Sequence, residues 1–425
     1  MYNSPLSDPR RKGRRRQRQA PLAAAAILVG AVLAFALAFS LFWQLGDRVV
    51  GGEFDVGVPS IGFPSIGLPS LPGFGGDEEA IAAVPAREYR VTPDLSLGNF
   101  RDQAYRPVKG IYLSSWAAGH NGILTDQLAL VDRTELNAMV IDAKDATGYV
   151  TYDANVQLSD ELGMEEERIR DIDGLIATLR EHDIVPIARI VVFKDPLLAE
   201  KHPEWAVQNV NGGVWKDNKG FAYMNPYKRE VWDYVLDVAE DAAGHGFREI
   251  QWDYVRFPSD GKISETSYPG EYGPKEDAIA DFLAYSRQRL EPLGVWVSAD
   301  VFGLTLYEKN DMGIGQKIEK VSRSVDIVCP MIYPSHYYSG HYNLDNPNAQ
   351  PYDVVKLATA DATRRMDGTG AIYRPWLQDF SLGGVEYGVD EVKAQIRAVE
   401  EQGYNEWILW DPSVKYVEGA LRPAS

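Results

Sequence analysis

From residue 105 onward the chain alternates short apolar runs with longer amphipathic stretches. The apolar runs occupy 110–114, 138–142, 186–193, 249–254, 295–302, 326–333, 372–378 and 407–411, and they predict eight strands. Most are rich in Val and Ile, the composition of parallel strands buried on both faces. Helical periodicity over 173–182, 227–243, 276–293 and 389–402 supplies crossovers between them. Asn225-Pro226 predicts a capped helix entry, with Gly244 and Gly246 ending that helix before the fourth strand. Eight βα units in about 300 residues predict an α/β fold, a closed (β/α)8 TIM barrel over 105–425, rather than an open doubly wound sheet. Pro330 and Pro375 lie inside the sixth and seventh runs and have no N–H for a ladder, so bulges or strand ends are expected there.

Ahead of the barrel the pattern changes. Residues 1–20 form a basic tail in which Arg10, Arg11, Lys12, Arg14, Arg15, Arg16 and Arg18 face only Asp8. Residues 21–45 predict a transmembrane signal anchor, because 21–43 has no charged residue and can cross a lipid bilayer core of about 30 Å. The flanking charge predicts a single-pass protein of the cell membrane, N-terminus cytoplasmic and catalytic domain extracytoplasmic. A cleaved signal peptide is the alternative, although its apolar region is ordinarily only about 7–15 residues and Ala36-Leu37-Ala38 lies inside the run. Residues 46–104 predict a flexible Gly/Pro/Ser linker and lead-in. The repeat Gly57-Val58-Pro59-Ser60-Ile61, Gly62-Phe63-Pro64-Ser65-Ile66, Gly67-Leu68-Pro69-Ser70-Leu71 prevents regular helix and suits an extended spacer.

Outside the tail the chain carries 36 basic and 60 acidic side chains, which opposes nucleic-acid binding through phosphates. Cys329 is the sole cysteine and has apolar neighbours, so no intrachain disulfide forms and a buried strand thiol is expected. The six histidines show no HxH or HExxH spacing, and no phosphate loop or Gly-x-Ser-x-Gly elbow occurs in the domain. No metal and no cofactor is expected.

Active sites of this fold lie at the C-terminal ends of the strands. There the sequence offers Asp142 with Lys144, Asp253, Asp300, Asp379 and Asp411. Carboxylates gathered at one rim suit glycosidic hydrolysis, one attacking or activating water and one protonating the leaving oxygen. Each also has a structural reading. Asp411 and Asp379 suit turns, and Asp142 and Lys144 share strand parity and suit an ion pair. Asp253 stands apart: alternation sets Gln251, Asp253 and Val255 on one face and Ile250, Trp252 and Tyr254 on the other. A carboxylate in so apolar a strand is costly unless paired or functional; Arg256 lies close by in sequence, and a buried Asp–Arg pair supporting the rim is the structural reading. Asp300 shares its face with Ser298 and Phe302. Trp116, Tyr254, Tyr333, Trp376 and Trp410 gather near the strand ends and suit stacking on sugars, with His336 a hydrogen-bonding candidate. Trp205 and Trp215, after strand three, face substrate or pin their loop.

Five segments taken in order carry a family resemblance: 109–114, 137–145, 202–207, Met224-Asn225-Pro226, and Gln251-Trp252-Asp253-Tyr254-Val255-Arg256-Phe257-Pro258. Together they resemble the putative glycosyl hydrolase domain family of bacterial envelope proteins. The resemblance covers about residues 105 to 420 and implies a barrel distantly similar to α-amylase and α-galactosidase barrels, with the nucleophile at the end of strand four, here Asp253. Several such relatives carry the acid/base on strand five or six, which leaves Asp300. The expectation is a glycoside hydrolase acting on an envelope or extracellular polysaccharide. Asp142, Lys144, Arg256, Trp116, Tyr254, Tyr333, His336, Trp376, Asp379 and Trp410 are expected to bind substrate. A glycan-binding barrel without catalysis, or a polysaccharide deacetylase, is the alternative.

Overall fold

The computed structural model describes residues 105–424. The predicted membrane span, tail and spacer lie outside them; among the described residues no helix is long and apolar enough to cross a membrane.

Eight parallel strands close a barrel: β1 (Lys109–Leu113), β2 (Ala138–Lys144), β3 (Val185–Val191), β4 (Glu249–Asp253), β5 (Trp296–Phe302), β6 (Ile327–Ile332), β7 in two pieces (Ile372–Tyr373 and Trp376–Gln378), and β8 (Trp407–Trp410). Closure is direct, with Lys109 of β1 in register with Trp407 of β8. Crossover helices follow the first seven strands: α1 (Asn121–Arg133), α2 (Ile172–Glu181), α3 (Arg229–His245), α4 (Lys275–Leu290), α5 (Ile318–Ser324), α6 (Pro351–Arg365) and α7 (Val389–Glu400). After β8, among the described residues, a 3-10 turn, Glu418–Ala420, stands in the eighth helix position.

Strand alternation divides the core in two. Ile250 and Trp252 of β4 face outward; Trp252 packs against Phe282 of α4 (ring centroids 5.3 Å) and donates its indole N–H to Ser286 (3.1 Å). Full burial of such a ring is worth about 2–3 kcal/mol. Gln251 and Asp253 face the barrel axis, where Gln251 meets the buried Cys329 Sγ (3.4 Å). The floor is closed by Arg374, fully buried, which donates to both oxygens of Glu249 (2.8 and 2.9 Å), to Glu406 (3.0 Å) and to Tyr105 (2.8 Å).

The prolines behave differently from one another. β7 breaks at Arg374-Pro375 as expected. Pro330 stays inside β6, paired in register with Val301, with no bulge. Its tolerance follows from position: Val328 turns its carbonyl to Arg374 N (3.0 Å), and by alternation Pro330 faces the same neighbour, opposite the break. Two helix-end expectations also need correction. The helix after Asn225 begins only at Arg229, and Asn225 Oδ1 instead accepts from Tyr227 N (3.1 Å) in a preceding turn. Gly244 is inside α3, while Gly246 (φ 104°) ends it in the left-handed conformation that glycine permits.

Candidate active site

The mouth of the barrel gathers inward-facing groups from β1 to β5 around Arg189. This residue lies on β3, level with Asp142 of β2, and β3 runs beside β4 so that Val191 pairs with Asp253. Arg189 gives Nε (3.0 Å) and Nη2 to Asp253 Oδ2, and Nη1 to Asp142 Oδ1. Asp142 Oδ2 accepts from the Tyr112 hydroxyl (2.6 Å), and the guanidinium also faces the rings of Tyr112 (5.8 Å) and Trp410 (5.9 Å). Asp253 Oδ1 accepts from the N–H of Tyr254 (2.5 Å). Burial raises the Asp142 carboxyl above its ordinary value, partly offset by Arg189 and Tyr112. Burial opposes charge on Arg189 too, but the Asp253 and Asp142 charges outweigh it and hold the guanidinium protonated.

Asp300 is the neighbour of Asp253. Trp252 pairs with Ala299, so Asp253 and Asp300 occupy the next position on adjacent parallel strands, both facing the axis. Only 1% of Asp300 is exposed, against 7% of Asp253. Its Oδ1 accepts the Trp376 indole N–H (2.6 Å). Burial, reinforced by the charge of Asp253, pushes its acid well above the usual carboxylate range, with Trp376 and Arg189 opposing in part. The two carboxyls therefore differ in environment: Asp253 is held by a cation and a backbone N–H, and Asp300 by an indole N–H in a more buried position.

Several expected site residues are elsewhere. Lys144 does not accompany Asp142: a register shift between them turns Lys144 to the outer face, fully buried beneath Tyr234 of α3, where it pairs with Asp195 (2.7 Å) and donates to Val191 O (3.1 Å). It has no path to a substrate. Arg256 is not the partner of Asp253; it donates to Phe257 O (3.0 Å) and stacks on Tyr254 and Phe302. Tyr254 leaves strand parity through a left-handed backbone (φ 49°), a conformation costing about 1–3 kcal/mol, and its ring lies between Lys194 (4.9 Å) and Arg256 (4.9 Å). Asp379 faces away from the axis, accepting from Val417 N (3.1 Å); among the described residues Oδ1 has no hydrogen-bond partner, and burial lifts the acid to about 7. Asp411 caps a turn, accepting from Ser413 N (2.6 Å).

Among the aromatic candidates, Tyr333 and Trp376 are buried inside the barrel and Trp410 packs at a tilt against Tyr112 (ring centroids 4.1 Å). Trp116 stands on the rim just after β1, 61% exposed, with Arg168 over its ring (5.1 Å). His336 is exposed on the rim, edge-on to Tyr333 (5.2 Å). Trp215 is buried and hydrogen-bonded to Lys262 O (3.1 Å), so it pins its loop, clustering with Val207 and Tyr223 against Tyr254, Ile263 and Tyr268; Trp205 stacks on His202 (3.9 Å). The strand-order reading missed Arg189, Tyr112 and Lys194. A signal for Arg189 was present: a lone guanidinium in the apolar run Pro186-Ile187-Ala188-Arg189-Ile190-Val191 meets the same burial penalty that singled out Asp253.

A family model described as a putative glycosyl hydrolase domain matches residues 110–416. Among solved structures, a hypothetical protein from Ruminiclostridium thermocellum is 37% identical, over 48% of this chain and 98% of its own, with a TM-score of 0.43. The glycoside hydrolase domain of PgaB (BpsB) from Bordetella bronchiseptica is 11% identical, over 75% of this chain and 100% of its own, with a TM-score of 0.56. A GH20 exo β-N-acetylglucosaminidase from Vibrio harveyi is 12% identical, over 75% of this chain and 55% of its own, with a TM-score of 0.50. The last two likenesses bear on the barrel fold alone. No curated protein matches the chain.

Proposed function

The chain belongs to the putative glycosyl hydrolase domain family, and from that premise we propose that it cleaves an envelope or extracellular polysaccharide by a retaining two-carboxylate mechanism. One observation carries the reading: Asp253 and Asp300 are register neighbours on adjacent strands at the barrel mouth. Adjacent strands are about 4.8 Å apart, which suits the carboxyl separation of about 5–5.5 Å in retaining enzymes better than the 6.5–9.5 Å of inverting ones.

Arg189 holds Asp253 in place through Oδ2. Asp253 attacks the anomeric carbon while Asp300 gives its proton to the departing glycosidic oxygen. Water then attacks the glycosyl-enzyme ester, Asp300 takes the water proton, and Asp253 is regenerated. Trp376 orients Asp300 and moderates the charge it carries between the two steps. Trp116 offers an exposed ring on which a sugar face can stack. Anchoring through 21–43, with the barrel outside the cytoplasm, belongs to the same proposal and is supported by the uncharged run and its basic flank.

The class of reaction is tested by incubating the full chain with purified envelope polysaccharides and following new reducing ends, with NMR reading the anomeric configuration first released. Reducing ends of retained configuration are expected. Polysaccharide binding without any reducing ends contradicts catalysis.

A further inference from the structure

We infer that the sugar bound beside Asp253 carries an anionic group, a carboxylate or other acidic substituent, held by Arg256 and Lys194. The inference rests on the glycosidase reading and adds the substrate class. Arg256 is only 6% exposed, and among the described residues no carboxylate lies within ion-pair distance of it. Its guanidinium is stacked between Tyr254 (4.9 Å) and Phe302 (4.7 Å), and Nη1 donates to Phe257 O (3.0 Å). A guanidinium has five N–H donors, and burying its charge without a counter-ion is costly.

Lys194 follows β3 at the same mouth. It is half-buried against Phe221 (4.5 Å) and Tyr254 (4.9 Å), again without an ion pair among the described residues. Burial draws its ammonium below the ordinary lysine value; Asp217 opposes this and Arg256 adds to it.

Neither cation is needed to neutralise Asp253. Asp253 Oδ2 already takes two N–H groups of Arg189 and Oδ1 takes that of Tyr254. Both cations lie against the ring of Tyr254, the residue that follows Asp253 in the chain, in a protein whose formal charge is −18. Such a pair, one buried and one half-buried, neither in an ion pair among the described residues, favours a ligand anion through charge-assisted hydrogen bonds, and Arg presents a fork that suits a carboxylate.

The test is linkage-independent. The full chain is titrated by NMR at low salt with the methyl glycosides of glucose, galactose, glucuronic acid and galacturonic acid, and with glucose 6-phosphate. The expected result is at least tenfold tighter binding of the anionic sugars, weakening with added salt, and lost in Lys194→Gln and Arg256→Gln. Preference for the uronates identifies a carboxylate, and preference for the phosphate identifies a phosphorylated glycan. Lys194→Gln removes a partly exposed side chain, so it reads the effect even if Arg256→Gln misfolds. Equal or absent binding of the anionic sugars, or an unchanged preference in folded Lys194→Gln, overturns the inference. Anionic preference without cleavage of any acidic glycan would instead overturn the hydrolase reading while the binding site stands.

Discussion

Arg189 and Asp253 meet through one oxygen: Asp253 Oδ2 accepts from both Nε and Nη2, while Nη1 of the same guanidinium holds Asp142. One cation thus orders two buried carboxylates from strands on either side of its own. Replacing it leaves both uncompensated.

Arg189→Met is therefore expected to cost about 3–5 kcal/mol of stability, the range for breaking a buried ion pair from one side. Asp142 is already raised by burial, and loss of Arg189 raises it further. A carboxyl whose folded value lies above its unfolded value loses stability as pH rises, so the deficit should grow from about pH 4 toward neutrality. Urea unfolding at several pH values measures both; a deficit independent of pH would count against the bridge.

Asp300 is predicted to hold its proton at neutral pH, because burial and the charge of Asp253 raise its acid. Activity should fall on the alkaline side as that proton is lost. Asp300→Asn should lower turnover by about 10²–10⁴-fold for a poor leaving group and much less for an activated aryl glycoside. The same substitution should stabilise the fold relative to the parent as pH rises above about 4, because the parent alone must keep a proton there that its unfolded chain releases. Unchanged turnover on both leaving groups would remove Asp300 from the mechanism.

Trp116 is exposed, and its described contact of this kind is the stacked Arg168. Trp116→Ala should raise KM several-fold with kcat nearly unchanged, the signature of uniform binding lost, and should cost no more than about 1 kcal/mol of stability. A fall in kcat with constant KM would argue against a stacking platform.

Much of this architecture was legible because period and burial leave marks in sequence. All eight apolar runs became barrel strands, and alternation correctly turned Gln251 and Asp253 inward and Trp252 outward. Alternation gives the face of a side chain, not which neighbouring strand supplies its partner. Arg256, close in sequence, was therefore the counter-ion considered, whereas Arg189 on the neighbouring strand is the one that reaches Asp253. Parity also fails where backbone is irregular. The register shift after Asp142 sent Lys144 outward, and the left-handed φ of Tyr254 took its ring out of strand parity, against Lys194 and Arg256. Pro330 kept its strand because its missing N–H faces a break made by another proline, a pairing that only topology reveals.

The central claim is that Asp253 performs the chemistry. The most direct measurement is the rate of reducing-end release from a cleaved polysaccharide by the parent and by Asp253→Asn, an isosteric change that keeps a hydrogen-bond acceptor toward Arg189. A loss of about 10³-fold or more in kcat, with substrate binding retained, is the result predicted. Turnover within a few-fold of the parent would contradict the account.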